Sequence, residues 1–270
     1  MALIRLARRI ALALAVLLPL ALPSAASELR RGNLAEPDTL DPAKWFTTYE
    51  ANILNDLFNG LLQLDAKGEP IPGAAESWTV SDDGLLITFK LRADGKWSDG
   101  APVTADDFVL GFRRSFDPKT ASAYANFGYV IVNAREVVEG RKPPEELGVR
   151  AVDALTFEVR LNEPSQTILP LFARYPNFFP SPAHVLSKEG DAWVQPGKMV
   201  SNGPYRLVEW VPQDRITLEK NPNYFDAANV AIDKVFYYPT DDDTAAVKRF
   251  RAGELDMNGR FPPSLYSSLK

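Results

Sequence analysis

Adjacent acids are the first groups in this chain that suggest chemistry: Asp241-Asp242-Asp243, Asp82-Asp83 and Asp106-Asp107. Three consecutive carboxylates invite a cation cage. Such a cage needs oxygens converging from a suitably folded loop, as in an EF-hand with its central glycine and terminal glutamate, and neither is present here. Acids at a helix start, beside the positive end of the helix dipole, account for the run instead. Paired carboxylates also serve glycoside hydrolysis, which requires two groups facing one bond, and neighbours on a turn or helix start do not establish that. The one histidine, His184, follows a proline-rich loop, the chain has no cysteine, and no G-x-S-x-G turn presents a serine nucleophile. These residues argue against an enzyme.

The elements that position these groups are legible between Glu76 and Phe108. Ser81-Asp82-Asp83-Gly84 is a turn, with a glycine available for positive φ. Leu86, Thr88 and Lys90 alternate with Ile87, Phe89 and Leu91, which predicts a half-buried strand. Trp97-Ser98-Asp99-Gly100 is a second turn, and Thr104 with Asp106 and Asp107 marks a helix start whose buried face begins with Phe108, Val109 and Phe112. Trp78, Trp97 and Phe108 are expected in the core. Upstream, Ile53, Leu54, Leu57, Phe58 and Leu61 form a helical stripe ending near Gly60. From Gln63 onward the turns become frequent, as in an antiparallel meander. A later helix carries Ala246, Val247, Phe250 and Leu255.

Arg5, Arg8 and Arg9 precede an uncharged Ala/Leu-rich run broken by Pro19 and Pro23 and ending at Ser24-Ala25-Ala26, the pattern of a signal peptide over residues 1–26. The breaks argue against a retained membrane anchor. Without those arginines the basic count falls to 27 against 35 acidic residues, a formal net charge of −8, which disfavours nucleic acid as a partner. The absence of cysteine excludes disulfides and thiolate metal sites.

The Glu76 to Phe108 stretch resembles the signature of the family 5 extracytoplasmic solute-binding proteins, the peptide-binding components of ABC importers. Leu40-Asp41-Pro42, Asn59-Gly60-Leu61-Leu62, Asn202-Gly203-Pro204-Tyr205, Asn221 to Phe225 and Gly253-Glu254-Leu255-Asp256 resemble further elements of that family. The resemblance implies an α/β fold: a type II periplasmic-binding-protein-like lobe with a mixed β-sheet and an inserted β-rich subdomain. It implies a discontinuous lobe core over residues 27–58 and 183–270, with the inserted subdomain over 59–182. Relatives continue into a second lobe of comparable size, so this chain is expected to be a fragment that lacks it and binds weakly.

The implied function is capture of oligopeptides in the periplasm for delivery to a permease and its ATPase, with no cofactor and no metal. The match from Asp117 to Tyr124 favours oligopeptides over the dipeptides, murein peptides, nickel chelates, haem or oligosaccharides that other members bind, while hydrolysis is disfavoured by the lack of a nucleophile and base constellation. In oligopeptide-binding relatives the main chain just after the Leu40-Asp41-Pro42-Ala43-Lys44 element pairs with the peptide like an added strand. That assigns contacts to Phe46, Thr47 and Thr48, with Phe46 standing where well-known members carry a glutamate. Tyr124 matches a cleft tyrosine, and Arg260 is placed to receive a carboxylate.

Overall fold

The computed structural model describes residues 26–269. The signal peptide expected over residues 1–26 therefore lies outside them, Ala26 excepted. Among the described residues no helix is long and apolar enough to cross a membrane.

In chain order the strands are β1 (Glu28–Gly32), β2 (Leu62–Leu64), β3 (Pro70–Pro72), β4 (Ala75–Val80), β5 (Leu86–Leu91), β6 (Val149–Asp153), β7 (Thr156–Arg160), β8 (Tyr205–Val211), β9 (Arg215–Lys220), β10 (Lys234–Tyr238) and β11 (Met257–Asn258). The α-helices are α1 (Thr48–Leu57), α2 (Ala105–Phe116), α3 (Ala134–Val138), α4 (Ile168–Arg174), α5 (Ala183–Glu189), α6 (Asp243–Arg251) and α7 (Tyr266–Leu269).

The strands form a five-stranded sheet in the order β11-β1-β10-β9-β8, a four-stranded sheet in the order β4-β5-β7-β6, and the β2-β3 pair. The five-stranded sheet is mixed. β1 runs parallel to both of its neighbours, with Glu28 opposite Lys234 and Arg31 opposite Met257, whereas β8, β9 and β10 pair antiparallel. A parallel pair cannot close through a tight turn. The long excursion between β1 and β10 holds the other two sheets, whose pairings are all antiparallel.

β5 shows the expected alternation: Ile87, Phe89 and Leu91 are buried while Leu86, Thr88 and Lys90 are not. α2 lies over this sheet. Its Phe112 ring meets Phe157 of β7 at 5.2 Å and Phe178 at 5.4 Å between centroids. The helix start is sealed by Asp107, whose Oδ2 accepts the Thr104 N–H at 2.9 Å and Trp97 Nε1–H at 3.2 Å. This explains why the tryptophan, threonine and aspartate occur together in the signature. Trp97 and Phe108 are fully buried, while Trp78 is only partly covered against the same core.

Two expectations differ from the structure in detail. The apolar stripe from Ile53 to Leu61 is all buried, yet α1 stops at Leu57 and Phe58 is already extended. Asn59 and Asn202 take over there: the Asn59 N–H donates to Asn202 Oδ1 at 3.0 Å, and Asn202 Nδ2–H donates to the Asn59 carbonyl at 2.8 Å. In α6, Ala246 and Val247 are buried but Phe250 is exposed, and Leu255 is buried from a position beyond the helix end.

Candidate functional site

The segment leading into α1 is held by side chains that bond its own main chain. Thr39 Oγ1 accepts the Asp41 N–H at 3.0 Å, and Asp41 Oδ1 accepts the Ala43 N–H at 3.0 Å, the geometry that makes Asp and Thr effective turn residues. Glu50 then acts as a clamp from inside α1. Its Oε2 accepts the N–H of Phe46 at 2.7 Å and of Thr47 at 2.9 Å, and its Oε1 accepts the N–H of Asp38 at 3.1 Å. Thr47 is the N-cap, its hydroxyl accepting the Glu50 N–H at 3.4 Å to complete a capping box.

These bonds bear on the added-strand expectation. The Phe46 N–H is spent on Glu50, and the Phe46 carbonyl accepts the Tyr124 hydroxyl at 2.8 Å. The Thr47 N–H is also spent on Glu50, and its carbonyl accepts the Ala51 N–H at 3.0 Å. The Thr48 N–H, in the first turn of α1, has no intrahelical acceptor. A partner that bonds main chain here meets Thr48 N–H and the second lone pairs of the carbonyls, not an unpaired strand edge.

Thr48 and Arg260 line one open cavity of about 310 Å³ together with Leu34, Ala35, Tyr49 and Asp241. Four of these lining residues were not anticipated. Leu34 lines the cavity with a φ of +50°, in the left-handed region that a side-chain-bearing residue adopts at a cost of about 1–3 kcal/mol. Asn33 holds that conformation: its N–H donates to the Tyr238 carbonyl at 2.9 Å and its Nδ2–H to the Tyr49 carbonyl at 3.0 Å. A leucine carries no residue-type signal for positive φ. Asp241 could have been singled out only from the acid run, where helix capping accounted for all three residues.

Arg260 is not an isolated cation. Its Nε–H lies 2.8 Å and 3.0 Å from the two carboxylate oxygens of Asp243, so much of its charge is already answered at the cavity rim. The neighbouring Asp242 is the N-cap of α6, accepting the N–H groups of Thr244 at 2.7 Å and Ala245 at 3.0 Å. The Ala245 and Thr244 N–H groups hold its carboxyl below the usual carboxylate range. Arg260 also borders an adjoining cavity of about 210 Å³ formed with Val247, Phe250, Asn258 and Phe261.

Phe46, Thr47 and Tyr124 thus gather around the start of α1, while Thr48 and Arg260 share the cavity beside it. His184 lies elsewhere: its Nε2 pairs with Asp99 Oδ2 at 2.8 Å on the partly exposed turn after Trp97.

Residues 69–270 match the family described as bacterial extracellular solute-binding proteins, family 5 middle. The periplasmic oligopeptide-binding protein OppA of Escherichia coli (strain K12) is 45% identical over 246 residues, covering 90% of this chain and 45% of that protein. The probable deoxycholate-binding periplasmic protein YgiS of the same organism is 43% identical over 232 residues, covering 84% of this chain and 43% of that protein. The solved structure of the E. coli murein tripeptide binding protein MppA superposes with a TM-score of 0.87 at 39% identity, covering 91% of this chain and 48% of that one. The chain spans about half the length of the curated relatives it matches. Its fold is a type II periplasmic-binding-protein-like lobe with a mixed sheet. The chain belongs to the family 5 bacterial extracellular solute-binding proteins.

Proposed function

We propose that this protein is the substrate-binding component of an ABC importer, capturing oligopeptides in the periplasm and handing them to a membrane permease powered by an ATPase. The observation that carries the reading is the 45% identity to a periplasmic oligopeptide-binding protein over 246 residues. The site is Phe46, Thr47, Thr48, Tyr124 and Arg260, supported by their convergence on the start of α1 and the adjoining cavity. No enzymatic step is assigned to it. The organisation that fits this reading is a discontinuous core over residues 27–58 and 183–270 with an insertion over 59–182. In its favour, the five-stranded sheet draws its strands from the first two ranges, and the remaining sheets fall within the third.

A second reading is favoured by one feature. The cavity of about 210 Å³ joins Val247, Phe250 and Phe261 to the Arg260 guanidinium, a lining suited to an amphipathic carboxylate, and one relative is named as a probable deoxycholate binder. Calorimetric titration decides between them. The protein translated from its complete reading frame is titrated with peptides of two to five residues and, separately, with deoxycholate. Peptide uptake supports the first reading. Deoxycholate uptake without any peptide binding overturns it.

A further inference from the structure

Phe46 is 63% exposed, the highest exposure of any large apolar side chain among the described residues. A phenylalanine open on this surface offers roughly 1.5–3 kcal/mol of burial to whatever covers it. Its main chain is immobilised on both sides, by Glu50 at the N–H and by Tyr124 at the carbonyl. The backbone that carries the ring is thereby fixed, and the ring itself packs beside Tyr124.

Behind it stands a column of near-parallel rings. Phe46 and Tyr124 have centroids 6.1 Å apart and planes 18° apart; Tyr124 and Phe127 follow at 5.3 Å and 17°. Trp45 braces the column from the side at 4.4 Å from Tyr124, and Tyr175 braces Phe127 at 4.7 Å. Phe46 is therefore the outer end of a pre-ordered stack. Two buried polar atoms bordering the column, Trp45 Nε1 and Asn177 Oδ1, have no hydrogen-bond partner. Asn177 itself touches the column through Nδ2, 3.5 Å from the Tyr124 carbonyl.

The charges next to Phe46 are committed elsewhere. Both Glu50 oxygens accept main-chain N–H groups, and Lys44 pairs with Asp191 at 3.1 Å. Ring faces and apolar edges are what the platform presents. A ligand carboxylate would meet the negative face of the ring quadrupole, whereas another ring gains stacking energy beyond its buried area.

We infer that Phe46 is a specificity-determining residue that selects peptides bearing an aromatic side chain, which extends the Phe46–Tyr124–Phe127 stack by one ring. The inference rests on the peptide-binding reading of the same site.

The test uses the protein translated from its complete reading frame, with trialanine and the tripeptides Trp-Ala-Ala, Ala-Trp-Ala and Ala-Ala-Trp set against their leucine and arginine counterparts. In at least one register the tryptophan peptide binds about three- to tenfold more tightly than the leucine peptide. In Phe46→Leu, which keeps the apolar character and removes the ring, that ratio falls to within about 1.5-fold. The wild-type ratio is itself decisive and needs no variant. Equal binding of tryptophan and leucine peptides in every register, or a preference that survives Phe46→Leu, overturns the inference while leaving peptide binding intact. An arginine preference as strong as the tryptophan one replaces ring stacking with cation–π attraction and also overturns it. If no peptide binds, trialanine included, the peptide-binding reading fails and the inference falls with it.

Discussion

Arg114 and Asp41, 73 residues apart, meet as a bidentate pair, with Nη1 3.0 Å from Oδ1 and Nη2 2.6 Å from Oδ2. The pair ties α2 to the turn that leads into Phe46. Asp41 is only 3% exposed, and its Oδ2 also accepts Trp193 Nε1–H at 3.4 Å. Removing the guanidinium would leave a buried, uncompensated carboxylate. Arg114→Met is expected to lower unfolding stability by about 3–5 kcal/mol, and Arg114→Met with Asp41→Asn by less than the two single changes added. Urea unfolding followed by circular dichroism measures both, and a single-variant loss under about 1 kcal/mol would show that the pair does not hold this junction.

Gly111 lets α2 lie against the chain at Phe179. A Cβ at this position would sit 2.1 Å from the Phe179 carbonyl oxygen, a main-chain atom that cannot swing aside. Gly111→Ala is therefore expected to cost about 1–3 kcal/mol despite alanine's better helix propensity. A thermal midpoint equal to or above wild type would contradict this packing.

Burial pushes the Tyr205 hydroxyl up to about 12, with the charges of Asp56 and Asp233 adding to it. The unfolded chain releases this proton near pH 10, so the folded state holds it more tightly. The resulting stabilisation is complete below pH 10 and is lost as the pH rises from about 10 to about 12. Tyr205→Phe should lose stability less steeply than wild type across that window. Parallel slopes in melts at pH 9, 10 and 11 would remove Tyr205 from the account of alkaline unfolding.

Asp243 neutralises Arg260 at the cavity rim. If Arg260 receives the carboxylate of a ligand, Asp243→Asn should tighten binding of a peptide acid relative to its C-terminal amide by about two- to fivefold, the scale of a partly exposed ion pair. The readout is the acid-to-amide affinity ratio. An unchanged ratio would place the ligand carboxylate away from Arg260.

Several parts of the molecule were legible in the chain because they are local. The alternation of β5 depends on residues two apart, the Gly84 turn on a glycine at positive φ, and the α6 cap on an acid two and three residues from the N–H groups it accepts. The end of α1 was less so. Its apolar stripe runs on to Leu61, and the helix stops earlier because Asn202, far along the chain, competes for the main chain of Asn59. Phe250 also satisfied the helical pattern yet faces outward, since periodicity identifies a stripe but not what covers it.

Residue order alone carried the family signature, through that resemblance the α/β fold, and the local turns, caps and strand alternation, since turn chemistry, caps and side-chain periodicity act over a few residues. Folding settled the rest. It set Leu34 in a left-handed conformation beside Thr48, turned Arg260 onto Asp243, and stacked Phe46 on a tyrosine 78 positions away. These relationships join segments brought together by the parallel register of β1 with β10 and by the packing of the intervening sheets. Contacts of that range depend on where whole elements dock, which no local pattern of residue types encodes.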